Sequence, residues 1–159
     1  MWTSQKKQRK YYSEKKKRHS IKTQVVVDKA TNTLICTSFS SGKKHDFRLF
    51  KETKTRILPN TKVLTDTGYQ GIQKMHANSV LPKKRKRNTN LTKEEKLENQ
   101  AIARDRVTNE NVIGLLKRFK IISDRYRNRR KRFGLRFNLI SCIYNFELFL
   151  WGYARGLMI

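Results

Sequence analysis

The apolar run Val63-Leu64-Thr65 stops on a carboxylate, Asp66, and turns at once through Thr67-Gly68-Tyr69-Gln70-Gly71. A strand that ends in an acid and a glycine turn constrains the chain to an α/β arrangement, because strand-end loops are where such folds place their sites. The flanking segments agree. Residues 20–28 are rich in β-branched side chains and predict a strand, and residues 34–39 predict its hairpin partner across a turn at 29–33. A short helix is expected over 46–55, a strand over 62–65, another short helix over 72–78, and a strand over 79–81 ended by Pro82. Thr92-Lys93-Glu94-Glu95 has capping-box spacing and opens a long helix to about residue 120. Its apolar period blurs at 104–108, which predicts a kink, and a last helix is expected over 133–153. Strand, strand, helix, strand, helix is the order of a ribonuclease-H-like mixed sheet from its second strand onward. The central first strand of that architecture has no counterpart before Ser20, so the sheet is expected to be incomplete.

Charge narrows the partner. The 159 residues hold 38 Lys and Arg against 12 Asp and Glu, a net charge of +26. Such a chain repels itself when compact and is relieved by a polyanion, so nucleic acid is the expected partner, with a ribosomal-type solvated surface as the alternative. The cations gather at 6–10, 15–18, 83–87 and 125–132, next to Tyr11, Tyr12, Tyr126 and Phe133. Cations beside aromatic rings suit phosphate contact with base stacking, and carry no signal of sequence readout. Lys15, Lys16, Lys17, Arg18, Lys83, Lys84, Arg125, Arg127, Arg129 and Arg130 are the candidate DNA contacts. A membrane partner is disfavoured, since the charge is not confined to one amphipathic helix. Residues 137–159 are apolar but interrupted by Asn138, Asn145, Glu147 and Arg155, which reads as a packing helix. The start of the sequence lacks the apolar core of a signal peptide. Cys36 and Cys142 stand far apart in apolar runs, as buried free thiols of a reducing cytoplasm would.

The acids carry the chemistry. A carboxylate is a preferred ligand for a hard cation such as magnesium or manganese, and Asp66 and Glu110 are the two candidates for catalysis and metal binding. Two carboxylates can hold metal ions that activate a water and stabilise the leaving oxygen of a phosphodiester, although that mechanism ordinarily uses a third acid. Plainer roles stand beside these: Asp66 capping its own turn, and Glu110 as a solvated salt-bridge partner. Asp46 is expected to cap a helix that begins at Phe47.

One resemblance covers most of the chain, from about residue 11 to 148. Tyr12-Ser13 followed by Lys15-Lys16-Lys17-Arg18-His19-Ser20-Ile21-Lys22, then Gly42-Lys43-Lys44-His45-Asp46-Phe47, then Asp66-Thr67-Gly68-Tyr69-Gln70-Gly71 resembles a DDE-type insertion-sequence transposase. Leu81-Pro82-Lys83-Lys84, Glu110-Asn111-Val112-Ile113-Gly114-Leu115-Leu116-Lys117-Arg118-Phe119 and Arg125-Tyr126-Arg127 continue it in the family's order. The resemblance implies a ribonuclease-H-like catalytic domain over 20–153, after a basic segment at 1–19 and before a tail at 154–159. It further implies a divalent metal and an activity that cuts and joins DNA at element ends, in the cytoplasm, on nucleoid DNA. By position Asp66 matches the family's second catalytic aspartate and Glu110 its glutamate. The first aspartate has no match, and Glu14 stands where the family usually has glycine. Both departures imply a truncated or frame-split transposase with little activity alone, whose partner is an upstream fragment or another copy. A non-enzymatic, basic nucleic-acid-binding protein is the rival reading.

Overall fold

A computed structural model describes residues 12–13, 17–85, 89–126 and 130–154. The chain is a mixed α/β protein. Its elements run β1 (Tyr12–Ser13), β2 (Arg18–His19), β3 (Ile21–Val27), β4 (Leu34–Ser41), α1 (Asp46–Thr53), β5 (Val63–Leu64), β6 (Ser79–Val80), α2 (Lys93–Leu116), α3 (Lys120–Ser123) and α4 (Phe133–Ala154). The described strands form three separate two-stranded sheets, β1–β2, β3–β4 and β5–β6. β1 and β2 are antiparallel, with Tyr12 opposite His19, whereas β5 and β6 are parallel, with Val63 opposite Ser79.

Two compact units divide the chain: Met1–Gln24 with Phe39–Val107, and Val25–Ser38 with Thr108–Ile159. In the first, Leu49, Phe50 and Ile72 are buried. Phe50 meets Tyr69 edge to face, with ring centroids 6.2 Å apart. Gly71 has φ +92°, and a β-carbon there would stand 3.3 Å from the Phe47 ring, so both backbone and space call for glycine. His76 is buried and its Nε2 lies 2.7 Å from the Thr61 carbonyl, tying the loop after α1 to the segment before β6. The capping box forms as expected: Glu95 Oε2 accepts from the Thr92 amide at 3.0 Å, and Thr92 Oγ1 accepts from the Glu95 amide at 3.2 Å.

The second unit packs Leu34, Val112, Leu116, Phe137, Ile140 and Tyr144 into a core. The β3–β4 turn is held by Asp28, whose carboxylate accepts from the Thr31 hydroxyl and, secondarily, from the Ala30 amide, bonds that hold its acid below the usual range. Asn145 of α4 clamps Leu34 of β4, accepting from its amide and donating to its carbonyl, each at 2.9 Å. Tyr144 donates to the Asn32 carbonyl at 3.1 Å, and Thr37 donates to Asn138. Arg118 and Glu147 form an ion pair.

Several boundaries move. The helix expected over 72–78 is only a 3-10 turn, Ile72–Lys74. The long helix runs unbroken through the blurred stretch and ends at Leu116, followed by the separate turn of α3. Neither Cys36 nor Cys142 forms a disulfide, but the expectation that both are buried is not met: Cys36 is half-buried and Cys142 is exposed.

Candidate functional site

The Asp66 turn is organised by its own carboxylate. Asp66 caps the 3-10 turn Thr67–Tyr69, with Oδ1 accepting from the Thr67 amide at 2.6 Å and from the Thr67 hydroxyl at 3.2 Å. Arg106 of α2 reaches the same oxygen at 3.4 Å. Among the described residues these bonds all end on Oδ1, and the side chain keeps 56% of its surface in solvent. The carboxylate therefore fills the turn-capping role foreseen for it, while staying half exposed just after β5.

A second acid joins this turn. Helix α1 begins at Asp46, and His45 is its N-cap without a side-chain bond, so Asp46 is not the cap the sequence predicted. Standing in the first turn, it meets the favourable end of the helix dipole and pairs with Lys22 of β3 at 3.1 Å. A β-carbon on Gly68 would lie 3.1 Å from Asp46 Oδ2, so the glycine lets the Asp66 turn close onto α1. Tyr69 completes the cluster by donating to Gln24 Oε1 at 3.3 Å. Burial pushes its phenol up to about 12, with the Asp46 and then the Asp66 charge adding to the effect.

Among the described residues, two buried polar atoms beside this cluster find no hydrogen-bond partner: Gln24 Nε2 and Thr65 Oγ1. An unmade bond of this kind costs about 1–3 kcal/mol, so each favours any group that supplies its partner. The closeness of Asp46, Gln24 and Tyr69 to the Asp66 turn was not anticipated. The signal was present in Gly68, whose missing side chain is what α1 needs, but its neighbour could not be read from one strand.

Glu110 lies exposed on α2, four residues after Arg106. Lys17, Arg18, Lys84, Arg125 and Arg130 are exposed, as phosphate contacts must be. Lys83 is engaged within the chain: it pairs with Glu98 at 2.8 Å and Glu95 at 3.8 Å, and the Glu98 bond raises its pKa. Its backbone also exchanges bonds with Asn99 at 2.7 and 3.0 Å, which anchors the basic loop to α2. Lys15, Lys16, Arg127 and Arg129, with the cluster at 6–10, lie outside the described residues.

The oxygen donors at Asp66 and Asp46 match a hard divalent cation in chemical type. Among the described residues, however, no group of three or more His, Cys, Asp or Glu is gathered to hold one.

Residues 2–145 match the family model of the DDE superfamily endonucleases. The chain belongs to that family. It is 46% identical over 145 residues to a probable transposase for insertion sequence element IS702 from Microchaete diplosiphon, an alignment covering 91% of this chain and 52% of that protein. The chain thus spans about half the length of this relative. No solved structure matches it. Asp66, Glu110 and the Asp66 turn all fall within the matched residues. Among the described residues no helix is long and apolar enough to cross a membrane.

Proposed function

We propose that this chain works on the DNA of a mobile element as part of a DDE transposase, with Asp66 and Glu110 as two of its catalytic acids. The carrying observation is the Asp66 turn: a half-exposed carboxylate at a strand end, fixed by Thr67 and Arg106, inside a family match that covers nearly the whole chain. Asp66 and Glu110 would hold magnesium or manganese. When bound, the ion activates water and offsets charge developing on the phosphodiester. Thr67 keeps Oδ1 of Asp66 in place, so the carboxylate is oriented before any ligand arrives. Lys17, Arg18, Lys84, Arg125 and Arg130 would grip the phosphate backbone without reading sequence.

A ribonuclease-H-like sheet completed by a further strand accords with two facts. Among the described residues β3 pairs only with β4 and β5 only with β6, and the orphaned Gln24 and Thr65 atoms belong to β3 and to the end of β5. Since no three acids are gathered into one site among the described residues, the chain by itself should bind DNA and cleave it poorly. The test is a manganese titration with and without duplex DNA. Binding should be clear with DNA and much weaker without it, and Asp66→Asn combined with Glu110→Gln should remove it while sparing DNA affinity in low salt. Unchanged manganese binding by the double variant would show the pair to be a turn Asp and a surface Glu. The rival, a purely electrostatic DNA binder, would then hold.

A further inference from the structure

Helix α1 ends at Lys54, whose φ of +47° turns the chain into the loop before β5. Between that loop and the residues after the 3-10 turn Ile72–Lys74 lies a cleft of about 450 Å³, within the ~300–1,000 Å³ typical of ligand pockets. Its floor is buried: Phe50 and His76 keep 6% and 8% of their surface in solvent. Its lips are not, for Leu58 and Met75 keep 76% and 55%. Both lips are held by the backbone. Leu58 opens a tight turn in which Pro59 fixes the next φ and the Thr61 amide donates to the Leu58 carbonyl at 2.9 Å. The Thr61 carbonyl is tied in turn to His76, and Asn78 Nδ2 donates to the Asn60 carbonyl at 3.1 Å. On the other wall the Met75 and His76 amides both donate to the carbonyl of Ile72, which is fully buried. Two apolar side chains are thus kept in water on a rigid backbone, and a site formed in advance costs less to fill.

The chemistry of the walls says what fills the cleft. Residues 54–62 and 74–76 carry Lys54, Arg56, Lys62 and Lys74, all exposed, and no acid. Among the described residues none of these four forms an ion pair. Cations around an apolar cleft suit a ligand that is flat and apolar at its centre and anionic at its edge, which is the form of a nucleotide in a strand. The Met75 thioether is a favourable neighbour for an aromatic ring. His76 adds a polar contact. The Thr61 carbonyl beside its Nε2 can only accept, so Nε2 carries the hydrogen, and Nδ1 of the neutral ring is left as an acceptor for an N–H. A paired base has its N–H groups engaged by its complement and its faces stacked, whereas an unpaired base has both free. A peptide is a poorer occupant. No residue of the cleft belongs to a strand that could be extended, and the space is too small for the long apolar face of a docked helix.

We propose that this cleft takes an unpaired base of DNA, with Leu58 and Met75 packing on the ring while Arg56 and the neighbouring lysines hold the flanking phosphates. Such a site rests on the reading of the chain as one that acts on DNA, and the test separates the two. Fluorescence anisotropy with the whole chain compares three duplexes of one length. One is fully paired, one ends in a single unpaired 2-aminopurine, and one has an abasic residue in that place, so that the last two carry the same charge. The unpaired base should bind about five- to tenfold more tightly than the abasic end, the lower part of what one stacked base contributes, and its emission should change on binding. Leu58→Gln with Met75→Gln, at two exposed positions, should erase that difference, with helical circular dichroism and affinity for the fully paired duplex unchanged. Met75→Leu should keep it. Equal affinity for the two ends, with DNA still bound, would overturn the base site and leave the reading of the chain as a DNA-acting protein standing. Binding to none of the three would overturn both. A difference that survives in the double variant would also sink the site, as would an equal emission change from 2-aminopurine inside the paired duplex, since the base would then be drawn out of the stack.

Discussion

Replacing Asn145 by Ala removes two bonds with one change, and the structure gives the cost. The side chain accepts from the Leu34 amide and donates to the Leu34 carbonyl, both at 2.9 Å, in the manner of a neighbouring strand. Leu34 is buried, with 7% of its surface exposed, so water cannot readily replace the lost partner. A buried backbone group left unpaired costs about 1–3 kcal/mol. Two such losses, relieved in part by local rearrangement, come to about 2–4 kcal/mol. For a chain of this size that corresponds to a fall of roughly 4–16 °C in Tm. The assay is thermal and urea unfolding followed by circular dichroism, comparing Asn145→Ala with Asn145→Asp. At a pH where its carboxyl is protonated, the aspartate keeps an acceptor for the Leu34 amide and offers an O–H to the carbonyl, so it should lie between the parent and the alanine variant; once ionised it loses that donor. A change below about 0.5 kcal/mol for Asn145→Ala, the size of an ordinary surface substitution, would refute the clamp.

Three further outcomes follow. Burial raises the Tyr69 pKa to about 12 in the folded chain against an ordinary value of 10.0, so its contribution to stability is full below pH 10 and is lost as pH rises from 10 through 12; Tyr69→Phe should flatten that part of the unfolding-versus-pH curve. Neutralising Arg127, Arg129, Arg130 and Lys131 together should weaken binding to all duplexes alike and reduce the salt slope by about 3–4, measured by fluorescence anisotropy, and a sequence-selective loss would contradict a backbone footprint. Arg106→Gln should raise manganese affinity in the absence of DNA, by no more than about fivefold because the ion pair it removes is partly exposed, and calorimetry should show this gain shrinking once DNA is added.

How much the sequence disclosed depended on the range of the interactions involved. The β3–β4 hairpin, the capping box at Thr92 and Glu95, and the last helix rest on local patterns, and each stands within a residue or two of its expected place. The stretch at 72–78 failed because Gly71 in a left-handed conformation starts only a single 3-10 turn, which the local composition does not distinguish from a helix. Asp46 was misread for a different reason. An aspartate before an apolar residue is good capping chemistry, but Lys22, on a strand more than twenty residues earlier, draws it into an ion pair inside the first turn. Asn138 and Asn145 looked like interruptions of an apolar helix and are instead the groups that bond to β4. Both errors arise from partners distant in sequence, which periodicity and spacing cannot supply.

The same long-range pairing explains why the acids at the Asp66 turn should answer to DNA. In a chain with so great an excess of cations, a carboxylate without another ligand finds a Lys or Arg, and here Asp46 holds Lys22 while Asp66 holds Arg106. Each pair is partly exposed and so worth little by itself, on the order of 1 kcal/mol or less. That small energy still opposes a metal ion, which must displace the cation as well as shed its own water. Phosphates change the balance because they compete for Lys22 and Arg106, and gain by releasing condensed counterions as they do so. The carboxylates are then left facing a polyanion, an arrangement that disfavours them alone and favours them once a divalent ion stands between. If the proposed function holds, metal and DNA would therefore enter as cooperative ligands, each improving the site for the other by the same factor. In this reading the large positive charge has two functions: it gathers DNA, and it keeps the carboxylates of the Asp66 turn neutralised until DNA has been bound.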